Sequence, residues 1–311
     1  MMRNISLDLL KIFLAFCIIA LHGKVFSDIS GLLSFFTVNG FFRVGVPIFL
    51  IITGYYFFLI NDIRVWLKRV TLLYLIWMVF YSLFYFEFSF SSQAIIKNMF
   101  FLIFGYHHLW YLAGTIAGGW LLYIAKSFST RTQIFSALGL FTLGCLIQYL
   151  GNFHFLPKNF DSILNFYPVY RNFFTVCYPF LMFGFLIHKL NLTTKYKKIA
   201  PLAVLISLII LYVEVYINYF FISKTDPLDL MFSLALICPA IFIFVFNLNF
   251  QGEGKTLALL STALYLIHPL FQNLLKPYNI SSIEMFFVTV FLSCLASIIL
   301  IALNKKIKVI L

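Results

Sequence analysis

Apolar residues run along this chain in long, nearly unbroken stretches, and most polar residues collect in the short gaps between them. A helix needs about 20 apolar residues to cross the hydrocarbon core of a bilayer. The lengths and spacing predict ten spans, at about 7–26, 33–60, 69–88, 108–126, 132–150, 168–188, 199–221, 229–247, 256–275 and 284–303. The expected fold is an all-α integral membrane protein, a bundle of about ten transmembrane helices. No gap is long enough for a soluble module, so residues 1–311 read as one domain. The first stretch is too long for a signal-peptide core and lacks a small-residue cleavage site, so it is expected to remain as an anchor.

The second stretch exceeds what one straight span needs, and Gly40, Gly45, Pro47 and Gly54 punctuate it. A kink or break is expected near Gly45-Val46-Pro47, because proline removes a helix hydrogen bond. The segment 89–105 is short and amphipathic, and is expected to lie at an interface or to re-enter.

Composition agrees with this class: 63% of residues are hydrophobic and 10% charged, against about 25% charged in a soluble domain. The five cysteines lie inside apolar stretches without metal-ligand spacing and read as packing residues, so no metal site is expected. A net charge of +12 would suit a nucleic-acid partner, but the positions of the charges argue against one. With successive connections assigned to alternate sides, fourteen Lys and Arg fall on one side and five on the other. That asymmetry predicts both termini in the cytoplasm, and a basic excess that faces the inner leaflet of the lipid bilayer.

Candidate chemistry lies in the polar residues that interrupt the stretches. Lys11 in the first span would cost roughly 2.5–3.5 kcal/mol at a helix centre, although it could also snorkel to the headgroups. His22 follows eleven residues later on nearly the same face, about 16 Å along the axis. On the predicted topology His22, Arg43, Arg171, Glu214 and His268 fall in the outer half, with His107 and His108 opening a span from outside. His107, His108 and Arg171 could equally be interfacial anchors, and Glu214 a neutral buried acid. Arg43 is too deep to snorkel, and a buried guanidinium needs partners. The run Gly252-Glu253-Gly254-Lys255-Thr256 mimics the end of a phosphate loop, but Asn249 stands where its first glycine belongs.

Six segments, taken in order, resemble the acyltransferase-3 family of bacterial membrane O-acyltransferases. RNISLDLLKIFLAFCIIALH (Arg3–His22) is similar to the family's opening Arg-Asn-x-x-Leu-Asp-x-x-Arg/Lys, with a histidine eleven positions on. FRVGVPIFLIITGYYF (Phe42–Phe57) resembles its Arg-x-x-Val-Pro stretch, with Thr53 for the usual serine, and the basic RVWLKRVTLLYLIW (Arg64–Trp77) follows. HLWYLAGTIAGGWLLY (His108–Tyr123), YRNFFTVCYPFLMFGFLI (Tyr170–Ile187) and ALYLIHPLF (Ala263–Phe271) complete the set. Lys11 stands where arginine is commoner, and lysine cannot fork onto a phosphate.

The resemblance implies a multi-pass protein of the bacterial cytoplasmic (inner) membrane, without an appended soluble domain. It implies transfer of an acyl group, usually acetyl, from acetyl-CoA to an envelope glycan or lipid-linked sugar. His22 would be the general base or a transient acyl carrier, with Arg43 and Arg171 orienting the acceptor or stabilising the oxyanion. Lys11, Arg64, Lys68 and Arg69 would hold the donor's phosphates, and His108 and His268 would contact the acceptor or orient His22; Trp110 and, by its depth, Glu214 are further candidates for acceptor contact. A polytopic transporter or flippase is the alternative class, and it too would show polar residues facing a cavity. The two halves lack the inverted hydropathy repeat it favours. A membrane partner acting by interaction alone is the third.

Overall fold

The computed structural model describes residues 3–311 and is helical apart from one short ribbon. The chain opens with α1 (Ile5–His22), α2 (Gly31–Val38), α3 (Gly45–Phe57), α4 (Ile63–Tyr85) and α5 (Ser92–Phe104). The middle comprises α6 (Trp110–Ala125), α7 (Thr130–Asn152), the short α8 (Lys158–Leu164) and α9 (Tyr167–Tyr170), α10 (Tyr178–Lys189) and the short α11 (Leu192–Lys195). It closes with α12 (Ala200–Ile217), α13 (Leu234–Leu248), α14 (Thr256–Leu275) and α15 (Ser282–Asn304). Local chemistry sets several starts. Ser30, Asp62, Ser91 and Ser129 each accept a backbone N–H at a helix N-terminus, and Ser281 forms a capping box with Glu284.

Seven helical stretches are long and apolar enough to cross a membrane: Ile5–His22, Gly31–Phe57, Ile63–Tyr85, Thr130–Asn152, Ala200–Ile222, Thr256–Tyr278 and Ser282–Lys306. Three predicted spans, 108–126, 168–188 and 229–247, contain shorter regular helices. Each loses its first residues to irregular backbone: a 3-10 turn at His107–Leu109, a π turn at Phe173–Cys177, and a non-helical run before α13. The second stretch breaks between α2 and α3, where the 3-10 turn Phe41–Val44 intervenes. The break lies just ahead of the expected Gly45–Pro47, because Pro47 fits the first turn of α3, where no intrahelical N–H is required.

Two large apolar cores, and a small third one around Ala20, Val25 and Val38, fill the interior. One large core gathers α3, α7, α10 and α13; the other gathers α4, α6 and α14. Outward faces carry exposed Val79, Leu83, Phe287 and Ile298, as lipid-facing surfaces do. At the end of the bundle where α1 begins, β1 (Arg3–Asn4) pairs antiparallel with β2 (Gln251–Gly252). Asn4 Nδ2 also donates to the Phe246 carbonyl at 2.8 Å. The glycine run 252–254 thus forms half a ribbon and the turn into α14.

The closest helix crossing is α3 on α10. A Cβ at Gly54 would fall 1.9 Å from the Leu181 carbonyl oxygen, and one at Gly184 would fall 2.1 Å from that of Ile51. Both obstacles are backbone, so neither can move aside locally. The helices meet main chain to main chain, as small residues permit in membranes. Gly54→Leu should therefore lower thermal stability in detergent by about 2 kcal/mol or more. A variant that melts with the parent would show that the crossing can open at little cost.

Candidate active site

The irregular segments converge. The end of α1, the break before α3, the turn before α6, the Tyr167–Cys177 stretch and the run before α13 surround one cleft of about 750 Å³. Non-helical backbone at membrane depth is tolerated where it lines a cavity, and here it supplies the polar side chains. A narrower pocket of about 60 Å³ continues inward between Ile18, Val46, Pro47, Val176 and Tyr265. His22, Arg43, Trp110, Arg171 and Asp229 line both.

Four histidines gather at one wall. The His22 ring lies 4.4 Å from His107 and 5.5 Å from His268, centre to centre; His108 is 5.3 Å from His268. His22 ends α1, and Gln272 Nε2 of α14 donates to the Ile19 carbonyl at 2.9 Å, fixing that last turn. The His268 Nδ1 lies 3.2 Å from the Leu264 carbonyl. His108 is buried, its two ring nitrogens have no partner among the described residues, and its carbonyl accepts the Tyr265 hydroxyl. The His22 ring makes no hydrogen bond among the described residues and lines the cleft, so it is available to a bound molecule.

Two arginines that line the same cleft share one acid. Arg43 Nη1 donates to Asp229 Oδ1, and Arg171 Nη1 donates to Asp229 Oδ2 at 2.8 Å. Arg43 Nη2 also donates to Asn39 Oδ1 at 2.7 Å. The guanidinium of Arg171 lies 4.9 Å from the ring centres of Trp110 and Tyr167, within cation–π range. Gln148 of α7 anchors the acid's backbone: its Oε1 accepts the N–H groups of Asp229 and Leu230 at 2.8 and 3.0 Å.

The structure thus brings together His22, Arg43, His108, Trp110, Arg171 and His268, and leaves other expected site residues elsewhere. Glu214 is separate. Its carboxylate accepts the Tyr149 hydroxyl at 2.6 Å and the backbone N–H groups of Phe232 and Ser233 at 2.8 Å. It caps the approach to α13 and lines a separate pocket of about 500 Å³, so it is not among the residues that line the cleft. Lys11 pairs with Asp8 at 2.9 Å, and Arg3 forks onto the same carboxylate at 3.1 Å. Arg64, Lys68 and Arg69 are exposed at the start of α4.

Sequence reasoning missed Asp229 and undervalued His107. Asp229 stood at the first position of a predicted span and was not weighed as a candidate. With only ten acids in the chain, asking which of them shares the depth of two buried arginines would have found it. His107 adopts a left-handed φ of +50° after Gly105 at +83°. That uncommon backbone turns the chain at the cleft wall, and nothing in the residue pattern announced it.

A sequence model of a family described as an acyltransferase domain matches residues 4–303. An amino-acid racemase of Enterococcus faecalis is 26% identical over 99% of this chain and 47% of its own length. The chain therefore spans about half the length of that curated relative. No solved structure matches it.

Two outcomes follow from the geometry. Glu214→Ala strips the acceptor from three donors and should lower stability by about 1–3 kcal/mol, read as a fall in the melting midpoint in detergent. An unchanged midpoint would remove the capping role. His154, in the connection after α7, bridges Asp161 and Asp226 at 3.0 Å each. Hydrogen bonds to Asp161 and then Asp226 raise its pKa above the ordinary 6.5. The clamp's stabilisation is present in full below about pH 6.5 and is lost as pH rises through the raised value. The midpoint difference between the parent and His154→Gln should therefore be largest in mildly acid buffer and shrink above neutrality. A difference independent of pH would exclude the charged clamp.

Proposed function

The chain belongs to the acyltransferase-3 family, and on that premise we propose that it is a membrane O-acyltransferase for a cell-envelope glycan or glycolipid. The acyl group is acetyl, taken from cytoplasmic acetyl-CoA. One observation carries the reading: a half-buried histidine, His22, whose ring has no partner among the described residues, lines the same cleft as two arginines.

In this reading the acceptor hydroxyl oxygen forms a bond to the thioester carbon and the carbon–sulfur bond breaks. His22 takes the hydroxyl proton as that bond forms and returns it to the departing thiolate. The same ring could instead carry the acyl group for one step and then release it to the acceptor. Either way the carbonyl oxygen gains negative charge, and the guanidinium donors of Arg43 and Arg171 are suited to stabilise it. His107 and His268 flank His22 and restrict its ring, while His108 stands behind His268.

The reading includes sides. Counting α6, α10 with its π turn, and α13 beside the seven longer stretches makes ten crossings. That even number returns both termini to one face, and the Lys and Arg excess there makes it the cytoplasmic face of a bacterial inner membrane. The cleft then opens outward toward envelope glycans. Lys11, Arg3, Arg64, Lys68 and Arg69 lie on the donor's side, where they would attract its phosphates. The Enterococcus relative is about twice as long, and its name supports no racemase chemistry in this chain.

Base-labile acetate on envelope glycans tests this directly, in cells making the parent, His22→Ala, or neither. The parent should raise acetate above the host level. The variant, at equal membrane abundance, should reduce that gain by about a hundredfold or more. Undiminished acetate would remove His22 from the chemistry, and acetate unchanged by the parent itself would exclude glycan acetylation.

A further inference from the structure

The cleft carries more positive charge than the protein balances. Lys24, Arg43, Arg171 and Lys224 line it, with Asp229 as the carboxylate among them. Other acids at this end of the bundle are engaged elsewhere. Asp28 accepts the Ser282 N–H at 3.0 Å and its hydroxyl, and Asp161 and Asp226 bracket His154. Asp229 can neutralise one guanidinium, but two lean on it. A buried charge without a counter-charge is costly, and the guanidinium fork matches a carboxylate or phosphate.

Arg171 is the less committed of the two. Arg43 divides its nitrogens between Asp229 and Asn39. The Arg171 side chain makes one hydrogen bond, to Asp229, and its Nε, like that of Arg43, has no partner among the described residues. Its side chain is 23% exposed against 12% for Arg43. Trp110 and Tyr167 hold its plane, so little freedom is lost when a ligand docks. Lys24 and Lys224 stand exposed at the rim, where they would draw an anion in.

We propose that Arg171, with Lys24 and Lys224, binds an anionic group, a carboxylate or a phosphate, on the acceptor whose hydroxyl meets His22. The substrate class is thereby narrowed to acidic sugars and sugar phosphates. The word acceptor rests on the acyl-transfer reading; the binding of the anion does not, and it is tested without any acyl donor.

The test uses the full chain in uncharged detergent at low ionic strength. Its melting midpoint is followed against D-glucuronate, glucose 1-phosphate and glucose. At least one anion should raise the midpoint while glucose leaves it in place, and the better anion separates carboxylate from phosphate. Arg171→Lys keeps the charge but loses the fork, so half-maximal response should need about tenfold more anion. Asp229→Asn removes the internal competitor and should tighten anion binding threefold or more, a direction that a purely structural role does not produce. Should that buried variant fail to fold, Lys24→Gln/Lys224→Gln changes only exposed positions. It should weaken binding about threefold and flatten its salt dependence. Equal response to glucose and the anions, or no response to any, overturns the proposal. So does displacement of glucuronate by coenzyme A, which would assign the arginines to the donor. Anion binding without glycan acetylation would strike the acyl-transfer reading alone.

Discussion

Asp229 is the residue on which the cleft depends. Arg43 leans on it from the break before α3, Arg171 from the stretch before α10, and Gln148 of α7 grips its backbone. Removing one partner of a buried ion pair typically costs about 3–5 kcal/mol, because the other charge is left without compensation. One carboxylate therefore holds the break before α3 and the stretch before α10 against the run before α13 that carries it. None of them is a regular helix there, so helix packing alone would not hold them.

An acid between two cations occurs again at the other end of α1. Asp8 is reached by Arg3 and by Lys11, and the short ribbon with Gln251–Gly252 holds Arg3 in place. Both clusters have one carboxylate and two cations, and both leave net positive charge on a protein that is otherwise apolar. In the proposed orientation they mark the donor and acceptor sides of one path. His22 is the C-terminal residue of the helix that begins beside Asp8.

Much of this was legible in the chain. The lengths of the apolar stretches were enough for an all-α membrane class, and the ordered motifs were enough for the family. His22, Arg43 and Arg171 stood out because charged or ionisable groups in apolar stretches need a reason to be there. The three shortened spans were not legible, since an apolar residue in a π turn reads the same as one in a helix. Phe173–Cys177 has the hydrophobicity of a helix and differs only in hydrogen-bond register. Partnerships across the fold were also hidden: 186 positions separate Arg43 from Asp229. Glu214 looked like a candidate by depth alone. Its actual partners are the Tyr149 hydroxyl, 65 positions away, and two backbone N–H groups eighteen and nineteen residues away, which carry no signature in side-chain type.

The glycine crossing of α3 and α10 has a consequence for how such a cleft can diversify. Arg43 and Arg171 lie just ahead of two helices that touch through main chain at Gly54 and Gly184. Side-chain repacking cannot adjust that contact, so the separation of the two arginines is inherited from the backbone. The opposite lip is built otherwise: residues 223–227 and 24–30 run over the surface and carry the rim lysines. Insertion or substitution in the lip can therefore move the rim lysines while the spacing of the two arginines stays constant. Variation among such proteins should be concentrated on one side of a single opening.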